Sequence, residues 1–167
     1  MEIGLSLGSN QGDRLALLRE ARTRIAALPS TRVTAQSRIY ETQPVDVAPE
    51  FRDRFFLNAV VIIDSDMHLH ALSDGLHAIE AGMGRVRGPD RNGPRPIDVD
   101  IIYAGTRRNA SRTLTLPHPR WAERLFVVQP LADVRPDLVI PGQHRAVKAV
   151  LAALPDHGGV SVFAEAW

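Results

Sequence analysis

Ile97-Asp98-Val99-Asp100-Ile101-Ile102-Tyr103 is the stretch that decides the fold. Apolar residues flank and separate two aspartates, the pattern of a strand with one buried face and one charged face. Upstream, residues 84–96 are punctuated by Gly84, Gly88, Pro89, Gly93, Pro94 and Pro96, so no regular element leads into that strand. Leu69, Leu72, Leu76, Ile79 and Met83 step by three and four before it, a helix ended by Gly82 and Gly84. Still earlier, Phe55 to Asp64 with Val60-Val61-Ile62-Ile63 and Val33 to Glu41 read as two strands, joined by a loop containing Pro44 and Pro49. At the start of the chain, Ile3, Leu5 and Leu7 alternate with Gly4, Ser6 and Gly8, a strand. Asp13 then stands where an N-cap belongs, and Leu15, Leu18, Ile25 and Leu28 carry a helix to Pro29. With the 97–103 strand in place, the order is β-α-β-β-α-β. Such an order predicts an α+β, ferredoxin-like fold, two helices on one face of a four-stranded antiparallel sheet. Helical patterns over Trp121 to Leu131 and near 145–153, with Leu138-Val139-Ile140 between them, predict a C-terminal helical extension. No repeat or linker divides the chain, so residues 1–167 read as one domain.

Composition narrows the function classes. Twenty basic against nineteen acidic residues give a formal charge of +1, which calls for neither a nucleic-acid nor a membrane partner. The absence of cysteine excludes disulfides, thiol nucleophiles and cysteine-ligated metals. The longest clean apolar run, Ala59 to Ile63, is far below the roughly 20 residues of a membrane span. A soluble, cytoplasmic protein is the expectation. Lys148 is the only lysine and no P-loop string occurs, so any phosphate must be held by arginines.

The chemistry starts at Asp98 and Asp100. Period-2 geometry puts both carboxylates on one face with Cα atoms about 6.5–7 Å apart. Paired hard oxygen ligands suit Mg²⁺, which binds through one or two carboxylates plus substrate phosphates; a solvated acidic strand face is the plain alternative. Arg85, Arg87 and Arg95 precede the strand in the Gly- and Pro-rich segment, an arrangement resembling a phosphate clamp beside a metal site. Thr115, His118 and Arg124 follow it.

Together these residues resemble the 6-hydroxymethyl-7,8-dihydropterin pyrophosphokinase family of folate biosynthesis. The resemblance spans roughly residues 3–140. It rests on Leu7-Gly8-Ser9-Asn10, Tyr40-Glu41-Thr42, Phe56-Leu57-Asn58, Gly84-Arg85-Val86-Arg87, the Gly93-Pro94-Arg95-Pro96-Ile97-Asp98-Val99-Asp100 segment and Leu116-Pro117-His118. It implies transfer of the β,γ-diphosphate of ATP to the pterin hydroxymethyl group, with Asp98 and Asp100 holding two Mg²⁺. The same resemblance assigns Arg85 and Arg87 to a lid over the phosphates and Arg95, His118 and Arg124 to further ATP contacts. Glu80 and Thr115 fall at ATP-side positions, while Thr42, Val45, Phe56, Asn58 and Phe126 fall at pterin positions. Departures from the family pattern stand at Gln43, His77, Asn92 and Thr113. Two other readings share the predicted topology. A palm-like two-metal nucleotidyltransferase would also pair aspartates on a sheet, and an RNA-recognition module would need aromatic residues on an open sheet face.

Overall fold

Alternation in the first strand sorts the molecule into layers. In β1 (Glu2–Ser9), Ile3, Leu5 and Leu7 are fully buried in one core, and the pleat turns Gly4, Ser6 and Gly8 to the opposite face. The structure is a computed structural model and describes residues 1–44, 48–86, 94–155 and 159–167. α1 (Arg14–Ala26) follows, with the Asp13 carboxylate accepting the Ala16 N–H at 3.0 Å as its N-cap. Next come β2 (Thr31–Gln36), β3 (Ile39–Thr42), β4 (Phe56–Ser65), α2 (Leu69–Gly82) and β5 (Asp98–Ala104). The C-terminal part adds a small ribbon of β6 (Asn109–Ala110) and β7 (Thr115–Leu116), then α3 (Leu125–Val134), α4 (Val147–Ala153) and β8 (Val160–Ala164).

The main sheet runs β5-β1-β4-β3-β8, with β2 also paired to β4, and all its pairings are antiparallel. Each of α1 and α2 links strands separated by one other strand, which is the expected ferredoxin-like arrangement. Leu18, Ala21 and Ile25 of α1 and Leu72, Leu76 and Ile79 of α2 meet Ile3, Leu5 and Leu7 in one core. Each fully buried Leu or Ile there contributes about 1.5–3 kcal/mol of apolar burial.

Three features depart from the expectation. The predicted strand over 33–41 is two strands, because extra residues interrupt its pairing with β4. Gln36 faces Val61 and Tyr40 faces Asn58, four residues against three, and Ser37 fills the break by bonding Val60 through both its N–H and its Oγ, each at 2.9 Å. That bulge turns Tyr40 and Thr42 toward the second face. The helix expected from Trp121 begins four residues later, since Trp121–Glu123 is a tighter 3₁₀ turn. Finally, β8 extends the sheet beyond β3.

The C-terminal extension covers the face opposite α1 and α2. Trp121, Val127, Val128, Leu131, Ile140, Val147 and Val150 pack there on Val60, Ile62, Ile102 and Tyr103. Helices therefore occupy the face on which an RNA-recognition module would display aromatics. Gly4 is needed under Tyr103, because a Cβ at that position would lie 2.3 Å from the ring. Among the described residues no helix is long and apolar enough to cross a membrane.

Candidate active site

The second face of β1 carries only small side chains where it meets the acidic strand. Asp98 lies opposite Gly8 and Asp100 opposite Ser6, so both carboxylates share one face with room beside them. Asp100 lines a cleft with Ser6, His118, Trp121 and Arg124. Burial, then the neighbouring charge of Asp98, push the Asp100 carboxyl up to about 6, while Arg124, Arg85 and Arg95 oppose the rise.

Arg85 reaches this face through the end of α2. Gly84 adopts φ +92°, and the Arg85 and Gly84 N–H groups donate to the Glu80 and Ala81 carbonyls at 3.0 and 3.1 Å, a Schellman motif that folds Arg85 back over the helix end. The Arg85 Nη1 donates to both the Glu80 and the Asp98 carboxylates. Glu80 is 2% exposed and also accepts the Val99 N–H at 2.7 Å, between the two aspartates. Burial raises its pKa, against the pull of the Val99 hydrogen bond and Arg85.

Arg95 is clasped by Asn10: its N–H donates to the Asn10 Oδ1 at 2.8 Å, and its carbonyl accepts the Asn10 N–H at 3.3 Å. Its guanidinium lies 3.2 Å from Asp98 Oδ2 and 5.9 Å from the Phe56 ring centroid. The buried Arg95 Nε, Asn10 Nδ2 and Ser9 Oγ find no partner among the described residues, which leaves donors for an anionic ligand.

His118 is tied to β5 by its N–H bond to the Ile102 carbonyl at 2.8 Å, and its Nδ1 accepts the Arg120 N–H at 3.1 Å. Burial, then Arg124 and Arg120, lower its pKa, so the imidazole is neutral at pH 7. Arg124 precedes α3 and stacks on Phe126 at 5.6 Å. Beyond Gly8, the Asn58 amide donates to Thr42 Oγ1 at 2.6 Å, and both residues are buried. A Cβ on Gly8 would lie 2.9 Å from Asn58 Oδ1 and 3.7 Å from the Phe56 ring, so Gly8 leaves open the ground beside both.

The structure thus brings Glu80, Arg85, Arg95 and Asp98 into one ion-pair cluster. Asp100, His118 and Arg124 line the adjoining cleft, and Thr42, Phe56 and Asn58 gather across Gly8. Thr115 is exposed on β7, and among the described residues no hydrogen bond or ion pair joins its side chain to either group. Val45 and Arg87 lie outside the described residues, as does Asn92. Gly8 and Asn10 are not among the predicted site residues, although both belong to the Leu7-Gly8-Ser9-Asn10 block of the family resemblance; what each does depends on the strand or arginine that lies opposite. A larger open cleft of about 330 Å³ is lined by Asn10, Gly12, Arg14, Glu41, Asp53, Arg54 and Phe55, and neither Asp98 nor Asp100 is part of that lining. There Arg14 is committed to Glu41 at 2.7 Å and to the Phe55 carbonyl at 2.8 Å.

Comparison with known proteins gives the family. The family described as 7,8-dihydro-6-hydroxymethylpterin-pyrophosphokinase (HPPK) matches residues 4–136. The chain belongs to the HPPK family. It is 44% identical over 155 residues to a 2-amino-4-hydroxy-6-hydroxymethyldihydropteridine pyrophosphokinase of Methylorubrum extorquens, covering 92% of this chain and 94% of that one. Identity to the Pseudomonas aeruginosa enzyme of the same name is 37%, with 92% of both chains covered. The mitochondrial folate synthesis bifunctional protein of Pisum sativum is 41% identical, but the match covers 80% of this chain and only 25% of that protein. A solved HPPK-DHPS in complex with substrates superposes with TM-score 0.67 at 14% identity, over 90% of this chain and 43% of that one, and shows the shared fold.

As an HPPK-family enzyme the chain is a pyrophosphokinase of folate biosynthesis with ATP as co-substrate. Of its departures among the described residues, Gln43 is bonded through its N–H to the Gly159 carbonyl at 3.0 Å, His77 is exposed on α2, and Thr113 is exposed before β7.

Proposed function

We propose that this pyrophosphokinase passes the β,γ-diphosphate of ATP to 6-hydroxymethyl-7,8-dihydropterin on the face shared by β5, β1 and the start of α3. The pterin hydroxyl oxygen attacks the β-phosphorus, the Pα–O–Pβ bond breaks, and AMP leaves with the bridging oxygen. The observation that carries this reading is the placement of Asp98 and Asp100 on one face, among Arg85, Arg95 and Arg124 and next to the Thr42–Asn58 pair.

The donor set fits Mg²⁺: two hard carboxylates on one strand face, one of them destabilised by burial and then by its neighbour's charge. Asp98 and Asp100 would hold two ions, with the remaining ligands supplied by the substrate. Bound there, Mg²⁺ supplies charge neutralisation at the phosphate oxygens and lowers the pKa of the attacking hydroxyl. Arg85, Arg95 and Arg124 bind the polyphosphate as fixed forks. Neutral His118 offers a hydrogen bond without adding charge. The Asn58 amide keeps its Oδ1 and one N–H for the pterin edge after bonding Thr42. Phe56 and Phe126 provide faces for the flat ring. The enzyme so described is cytoplasmic and works on two small molecules, as a monomer or weak homodimer.

Asp98→Asn and Asp100→Asn test the assignment. Loss of either carboxylate lowers turnover on the order of 10²–10³-fold at saturating Mg²⁺. Retention of more than about a third of wild-type turnover in both would contradict it, since losing one such electrostatic element costs far more.

A further inference from the structure

Two guanidinium groups pair with Asp98. Arg85 Nη1 pairs with its Oδ1, and Arg95 Nη1 lies 3.2 Å from its Oδ2, so guanidinium groups cover both oxygens that a metal ion would use. The two ends of the Arg85 bridge differ. Glu80 is 2% exposed and locked by the Val99 N–H, whereas the Asp98 side chain is 25% exposed and so open to solvent. The Schellman turn fixes the Arg85 backbone at the Glu80 carbonyl, leaving the side chain as the part that can swing.

We propose that Arg85 is an internal cation occupying the metal side of Asp98, and that metal loading expels it from Asp98 while buried Glu80 keeps hold of it as a pivot. The inference rests on the reading of Asp98 as a metal ligand. Released from Asp98, the guanidinium is free to pair with the incoming polyphosphate. Metal and nucleotide binding are then coupled through one side chain: metal alone must break the Arg85–Asp98 pair without replacement, whereas metal with ATP provides Arg85 a new anion. Glu80 acts as a positioning residue here, retaining Arg85 at the site and pinning the strand between the aspartates.

The test is Mn²⁺ binding without nucleotide, read by electron paramagnetic resonance of the free ion, so it does not depend on turnover. Removing the internal cation in Arg85→Met tightens Mn²⁺ binding at least fivefold, while Arg85→Lys stays within twofold of wild type. Arg124→Met removes a charge that acts on Asp100 through space and serves as the control for general repulsion; it tightens binding less than Arg85→Met. Equal tightening in the two Met variants, or none in Arg85→Met, overturns the proposal. Absence of any saturable Mn²⁺ site abolished by Asp98→Asn overturns the metal reading itself and the proposal with it. Should Arg85→Met not fold, the wild-type protein decides: with ¹⁵N-labelled arginine, the Arg85 side-chain signal shifts along the Mg²⁺ binding curve, and an unmoved signal at saturation overturns the exchange.

Discussion

Asp100→Asn separates what the site needs for catalysis from what the fold needs for stability. The Asp100 carboxyl is pushed from 3.8 up to about 6, chiefly by burial and then by Asp98. A rise of that size corresponds to about 3 kcal/mol of penalty on the charged form, at 1.36 kcal/mol per tenfold change in the proton equilibrium. The folded-state value lies above the unfolded one, so the folded protein holds this proton more tightly. Its stabilising effect is complete below about pH 4 and is lost as pH rises toward 6. An asparagine carries no such charge. In urea denaturation without divalent metal, the variant is therefore more stable than wild type by up to about 3 kcal/mol at pH 7–8, and the gap closes as pH falls from about 6 to 4. Added Mg²⁺ stabilises wild type and leaves the variant unmoved. A variant equal to wild type, or weaker, at pH 8 without metal would refute the reasoning, because Asp100 would then pay no penalty for its charge.

Further predictions follow from the neighbouring geometry. Phe126→Ala weakens pterin binding roughly tenfold, about 1.4 kcal/mol, with ATP affinity unchanged, as read by titration calorimetry with a non-hydrolysable ATP analogue; unchanged pterin affinity would return Phe126 to a packing role. Gly4→Ala drives a methyl group into the Tyr103 ring and costs about 1–3 kcal/mol, seen as a lower Tm. Gly8→Ala puts a Cβ 2.9 Å from Asn58 Oδ1 and raises the pterin KM with little change in Tm, since Asn58 must move but the core does not.

Residues whose role depends on their own strand or helix were legible in the sequence. Leu5 and Leu7 declare the buried side of β1, and period-2 spacing alone places Asp98 and Asp100 together. The spacing of Leu72, Leu76 and Ile79 marks the buried stripe of α2. Other residues act through partners distant in the chain. Ser37 interrupts a strand because Val60 accepts its N–H and donates to its Oγ, a pairing no local pattern announces. Among the described residues β8 is a short edge strand paired with β3 alone, so neither length nor burial distinguishes Val160–Ala164 beforehand. Periodicity alone makes Glu80 an ordinary polar residue beside an apolar stripe, the family resemblance puts it at an ATP-side position, and the Val99 N–H and Arg85 account for a carboxylate buried there. Gly4 and Gly8 carry meaning only after the register with β5 and β4 is known.

Diphosphoryl transfer at the paired aspartates is tested most directly by following the adenine nucleotide product. With ATP, 6-hydroxymethyl-7,8-dihydropterin and Mg²⁺ present, the account predicts AMP and the pterin diphosphate in equal amounts, no ADP, and loss of both products when pterin or metal is omitted or when Asp98 is replaced by asparagine. ADP as the nucleotide product, or AMP formed at the same rate without the pterin, would contradict it.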